Sequence, residues 1–382
     1  MDTQERERVA AESAALWNDY RQRQNRRVPI TFAADENLWL AVAGQTFRAF
    51  YTDPRVHLAA QLEGRRYLRE QVLDDSPPLE AWPVSVQLWM EENEFYGARV
   101  VYQEDDYAWG LPLALAREDW LPYLANLDPE QRVRQSSAYR MYQALRELTE
   151  GLEYHGLRVQ VLPPGRSTHG IFTKAAELRG LEQLCLDLVE QPDWALAYLR
   201  ALTELTIARI RAWRRLTGDP APEAPLTEGF TFCDDSLQML SAASYERFVL
   251  PCHQRLYAAM ATSGPRGLHL CGHSTQHYPA LVRRLGVSCL DGPGPFVDHG
   301  HYLQALGPEL AFNAQTDHAI LLHGSASEVE AMMQGLLSPA ARQPGRFNLL
   351  GYLVRATPLA NVAACYRAGV AYGGIGRLGS ET

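Results

Sequence analysis

His269 and Cys271 stand two residues apart in Gly267-Leu268-His269-Leu270-Cys271-Gly272, at the end of a short apolar run. In a strand, residues i and i+2 share a face, so the imidazole and the thiol project to the same side. That pair is half of a zinc site, which takes nitrogen and thiolate ligands. It is equally the pattern of a buried, hydrogen-bonded His beside a small apolar Cys. A second polar cluster, Cys233-Asp234-Asp235-Ser236, also follows an apolar run. Cys233 joins His269 and Cys271 as a metal-ligand candidate. Adjacent carboxylates in an extended segment point opposite ways, so one of Asp234 and Asp235 reaches a site while the other caps the next helix. Both are catalytic candidates. His273 follows Gly272 and has three roles open to it: further ligand, acid–base group or surface residue. Asp291-Gly292-Pro293 and Asn313-Ala314-Gln315-Thr316-Asp317-His318 end two more runs. Together with Arg355, His273 and Asn313 are the substrate-binding candidates. His299, His301 and His323 carry no comparable pattern.

The basic residues add one more candidate. Of 36, 35 are Arg and one, Lys174, is Lys. It lies in Gly170-Ile171-Phe172-Thr173-Lys174, where a helix begins. A helix start favours anions, and a Lys there binds a carboxylate or phosphate, or shifts its pKa if buried. A solvated first-turn Lys is the alternative. Lys174 is the third catalytic candidate.

The elements that must position these groups alternate along the chain. Strands are expected at Val28–Phe32, Arg99–Tyr102, Arg158–Leu162, Gly229–Cys233, Gly267–Cys271, Val287–Leu290, Leu310–Ala314 and Phe347–Leu353. Helical patterns lie between them, at Lys174–Glu190, Pro192–Leu216, Ala243–Ser263, Thr275–Leu285 and Ala326–Leu336. Alternation of this kind gives a parallel sheet, and eight such strands predict an α/β fold, a (β/α)8 TIM barrel whose chemistry sits at the strand C-termini. A doubly wound sheet is the runner-up, but no G-x-G-x-x-G follows a strand. Residues 1–382 read as a single domain. A helical extension at 1–26 and a helix-rich segment at 38–94, broken by Ser76-Pro77-Pro78 and Trp82-Pro83, pack onto the barrel.

Composition bounds the partners. With 382 residues, 46% hydrophobic and 21% charged, a large core is available and disorder is excluded. A net charge of −9 argues against a sequence-independent grip on nucleic acid. No run reaches the roughly 18 apolar residues of a membrane helix. The charged stretch Met1–Arg27 is not expected to be a secretory signal, and six scattered cysteines suit a reduced cytoplasm.

Several segments taken together resemble the uroporphyrinogen decarboxylase superfamily. They are Gly170-Ile171-Phe172-Thr173, Phe232 to Ser236, Tyr245 to Pro251, His269-Leu270-Cys271-Gly272, Gly324 to Val329 and Thr357-Pro358-Leu359-Ala360-Asn361-Val362. The resemblance runs from about Arg26 to Gly373 and implies a (β/α)8 barrel. The arginine-rich N-terminal motif of true uroporphyrinogen decarboxylases is replaced here by Arg27-Val28-Pro29-Ile30-Thr31-Phe32. His269-x-Cys271 is similar to the signature of the other branch, zinc-dependent methyltransferases that work with corrinoid proteins. That branch usually adds a C-terminal Cys before the Thr-Pro helix. Here the segment reads Gly351-Tyr352-Leu353-Val354-Arg355-Ala356, and Cys365 falls inside the next helix. A third ligand must come from elsewhere, and Cys233, Asp234, His273 and His318 are the candidates. What the resemblance implies is a methyltransferase using zinc, a small-molecule substrate and a corrinoid carried by a partner protein. A metal-free decarboxylase, with Lys174 or Arg355 anchoring a carboxylate, and a non-catalytic binding barrel are the alternatives.

Overall fold

The computed structural model describes residues 3–376. Eight strands pair in parallel, in two groups: β1 Ile30–Ala34, β2 Trp82–Val84, β3 Leu157–Val161, β4 Phe230–Cys233, β5 Arg266–His269, β6 Cys289–Asp291, β7 Ala311–Gln315 and β8 Phe347–Leu353. Six form one parallel ladder in the order β1-β8-β7-β6-β5-β4. The first strand therefore lies beside the last, as a (β/α)8 topology requires. β2 and β3 pair with each other. Two seams join the groups. The bridge His169↔Cys233 links the segment after β3 to β4. Beside β1, the carboxylates of Asp75 and Asp74 accept from the N–H groups of Ile30 and Phe32 at 2.8 and 2.9 Å, where strand carbonyls would otherwise serve. Arg27 holds Asp75 in place at 2.6 Å.

The ladder sorts side chains by pleat. Phe232, Leu268, Leu290 and Phe312 are in register and buried. One residue further on, Cys233, His269, Asp291 and Asn313 are in register and only half-buried. Strands alternate faces, so the apolar row packs under the helices and the polar row turns to the inside. At β8, Asn348 donates to the Tyr20 hydroxyl at 3.1 Å, bringing the N-terminal helix Thr3–Arg21 against the strands.

Seven of the eight expected strands are present within two or three residues. The eighth differs. Arg99–Tyr102 holds only Val100–Val101, which folds back on Trp109–Gly110 as an antiparallel pair. The missing parallel strand is Trp82–Val84, where Trp82-Pro83 suggested a break. β2 has a ladder on one side only, and that is where Pro is tolerated in a sheet. The helical pattern Lys174–Glu190 is two helices, Ile171–Arg179 and Leu181–Glu190, parted at Gly180 with φ +87°.

Candidate metal centre at the strand ends

Asp235, His269 and Cys271 each place a ligand atom within 4.8 Å of the other two. Among the described residues no other group of three metal-binding side chains gathers in this way. Each comes from a strand end. His269 is the last residue of β5, Cys271 lies in the turn after it, and Asp235 follows β4 at the start of a 3-10 turn, Asp235–Met239. Asp235 Oδ1 accepts the Cys271 N–H at 2.9 Å and lies 3.8 Å from His269 Nε2.

The imidazole is held from behind. His269 Nδ1 bonds Asp291 Oδ2 at the end of β6, so Nε2 is the nitrogen turned toward Asp235. The other oxygen of Asp291 accepts from the Asn313 amide on β7. This Asn–Asp–His chain fixes the ring and raises its basicity, as carboxylates behind metal-bound histidines do. Gly292 makes room: a Cβ there would fall 2.7 Å from His269 Cε1. Burial opposes protonation of His269, but Asp291, Cys271 and Asp235 outweigh it and hold the pKa up to about 10.

The other candidates fall in different places. Asp234 is fully buried and serves the helix Ile171–Arg179, whose own N-cap, Gly170, has no side chain. Its carboxylate accepts from Phe172 N at 3.2 Å, Thr173 N at 2.7 Å and Thr173 Oγ1 at 2.8 Å, and from His253 Nε2 at 2.8 Å. Gly170 is required because a Cβ would meet Asp234 Cγ at 2.1 Å. Cys233 stands beside the centre but outside the three-residue group. Burial, then the charges of Asp235 and Asp291, push its thiol up to about 12, so it keeps its proton. Lys174 is buried, with Nζ on Asn93 Oδ1 at 2.6 Å and Glu177 Oε2 at 2.5 Å. His273 is exposed and leans on Phe296, with ring centroids 5.5 Å apart. Arg355 is exposed in the turn after β8. Asn313 reaches the centre only through Asp291. Cys365 is buried in the helix Leu359–Tyr372 against Met333. His318 is exposed and starts the helix His318–His323.

Sequence reading missed three groups. Asp291 sits 22 positions from the His it orients, a link only the ladder makes. Glu36, just past β1, is buried with Oε1 on Trp89 Nε1 at 2.9 Å and Oε2 without a partner among the described residues. Burial lifts its pKa to about 7. His169 lines a cavity of about 270 Å³ with Trp89, Glu91, Glu92, Thr168 and Cys233.

Residues 124–371 match the uroporphyrinogen decarboxylase (URO-D) family. The chain belongs to that family. A 121-residue stretch is 31% identical to a methylated-thiol–coenzyme M methyltransferase of Methanosarcina mazei. That stretch is 31% of this chain, and the chain spans 29% of the length of that relative. A solved methyltransferase from Methanosarcina mazei superposes with a TM-score of 0.63 at 15% identity, over 94% of this chain and 98% of the other. That likeness extends the shared α/β fold to nearly the whole chain.

Proposed function

We propose that this protein is a zinc-assisted methyltransferase, moving a methyl group to or from a corrinoid protein or a small thiol or ether. The convergence of Asp235, His269 and Cys271 carries this reading. The donor set fits zinc: one nitrogen, one sulfur and one oxygen, three protein ligands with a fourth position for substrate. Zinc bound there would supply Lewis acidity, lowering the pKa of a bound thiol or polarising a leaving oxygen. The chain's own groups do the rest. Asp291 and Asn313 orient His269, and the backbone N–H of Cys271 orients Asp235. The missing C-terminal Cys is answered by the Asp235 carboxylate. The curated relative's name supports methyl transfer to or from sulfur.

Decarboxylation is less well supported. Its carboxylate anchors, Lys174 and Arg355, do not meet at the strand ends: the first is buried and paired, the second exposed. The test is methyl transfer between methylcobalamin and small thiols, with and without a chelator. Transfer that stops on chelation and returns with zinc supports the proposal. Chelator-insensitive release of carbon dioxide from a carboxylic acid contradicts it.

A further inference from the structure

We infer that His169 exchanges the proton of the sulfur whose methyl group is moved, in a substrate cavity beside the metal centre; this rests on the methyltransferase reading above. The cavity of about 270 Å³ lies over the ends of β2 and β4 and is lined by Trp89, Glu91, Glu92, Thr168, His169 and Cys233, among others. Register places it next to the centre. His169 bridges Cys233, and Cys233 pairs with His269, so His169 and His269 lie two strands apart, about 10 Å at the usual strand spacing.

His169 is held as an acid–base group needs to be. Its Nδ1 is buried 3.5 Å from Glu92 Oε1 and makes no hydrogen bond among the described residues. Glu92 cannot drift. Its carboxylate accepts from Arg209 Nη2 at 2.7 Å, the Thr168 hydroxyl at 3.0 Å and the backbone N–H of His169 at 3.0 Å. A fixed carboxylate thus stands beside an imidazole nitrogen that no other group occupies, the surroundings an acid–base group uses. No lining residue is Lys or Arg, so the cavity suits an uncharged thiol rather than a carboxylate.

The step balances. The thiol S–H bond breaks and its proton goes to His169 Nε2. The sulfur pair forms the new S–CH3 bond with a methyl-corrinoid, and the Co–C pair stays on cobalt. In reverse, His169 returns the proton to the departing thiolate. His169 is a catalytic residue in this scheme, and Glu92 a positioning residue.

The test follows methyl transfer from methylcobalamin in the zinc-loaded wild type, His169→Gln and His169→Ala, against an alkanethiol and thiophenol. Thiophenol is already ionised at neutral pH and needs no base. The expected result is a loss of about 10²-fold or more with the alkanethiol, little change with thiophenol, and partial rescue of His169→Ala by added imidazole. Equal loss with both thiols and no rescue means a structural role and overturns the inference. Alkanethiol transfer unchanged in His169→Gln overturns it too, while the methyltransferase reading stands. Methyl transfer absent from the wild type with both thiols overturns that reading and the inference together.

Discussion

Asp291 holds His269 Nδ1 from behind the three-residue group. Removing such a carboxylate typically costs 10–100-fold in metal affinity. Asp291→Ala should therefore weaken zinc binding by about that factor, measured by competition with a chromophoric chelator, while Asn313→Ala has a smaller effect. Glu36 gives a pH signature. Its folded pKa of about 7 lies above the ordinary glutamate value of 4.5, so the folded chain holds that proton more tightly than the unfolded one. Stability is then full below about pH 4.5 and falls as pH rises through about 7. At 1.36 kcal/mol per pH unit the loss is on the order of 3 kcal/mol. Urea unfolding at pH 5 and pH 8 should show that this loss disappears in Glu36→Gln. Lys174 explains its own survival in an arginine-rich chain. Its ammonium fits a closed space between Asn93 and Glu177, where a guanidinium is too broad. Lys174→Arg should destabilise by about 1–3 kcal/mol, the usual cost of overpacking. The His269/Cys271 pair was legible in the sequence because i and i+2 share a face. Asp291 and His169 were not, because their roles depend on neighbours across the ladder.

At the scale of elements, the join between β4 and the helix Ile171–Arg179 matters most. Asp234 ties the helix start to the strand end that also presents Asp235, so one dipeptide sends one carboxylate into the packing and the other into the candidate metal group. Alternation predicted that division but not which residue took which part. Burial decided it, since Asp234 finds four donors in the core and Asp235 finds the turn of Cys271. Gly170→Ala drives a Cβ into Asp234 and should cost about 1–3 kcal/mol in urea unfolding, a test of this packing independent of metal. Seven strands were legible from apolar runs bounded by polar ends. Trp82–Val84 was not, because three residues carry too little periodicity and Pro83 reads as a stop.

Across the whole molecule, the apolar row of the sheet and the helices around it form the core, and the chemistry sits on the polar row at one end. Among the described residues no helix is long and apolar enough to cross a membrane. A centre placed at strand ends leaves the core intact when metal is removed, unlike small zinc domains that unfold without it. The decisive measurement is metal content of the purified wild type, Asp235→Asn, His269→Ala and Cys271→Ser after dialysis against a weak chelator, with circular dichroism as a check on folding. About one zinc per wild-type chain is expected, and its loss from all three folded variants. Full zinc retained in Asp235→Asn, or in the His269 and Cys271 variants, would contradict the proposed centre.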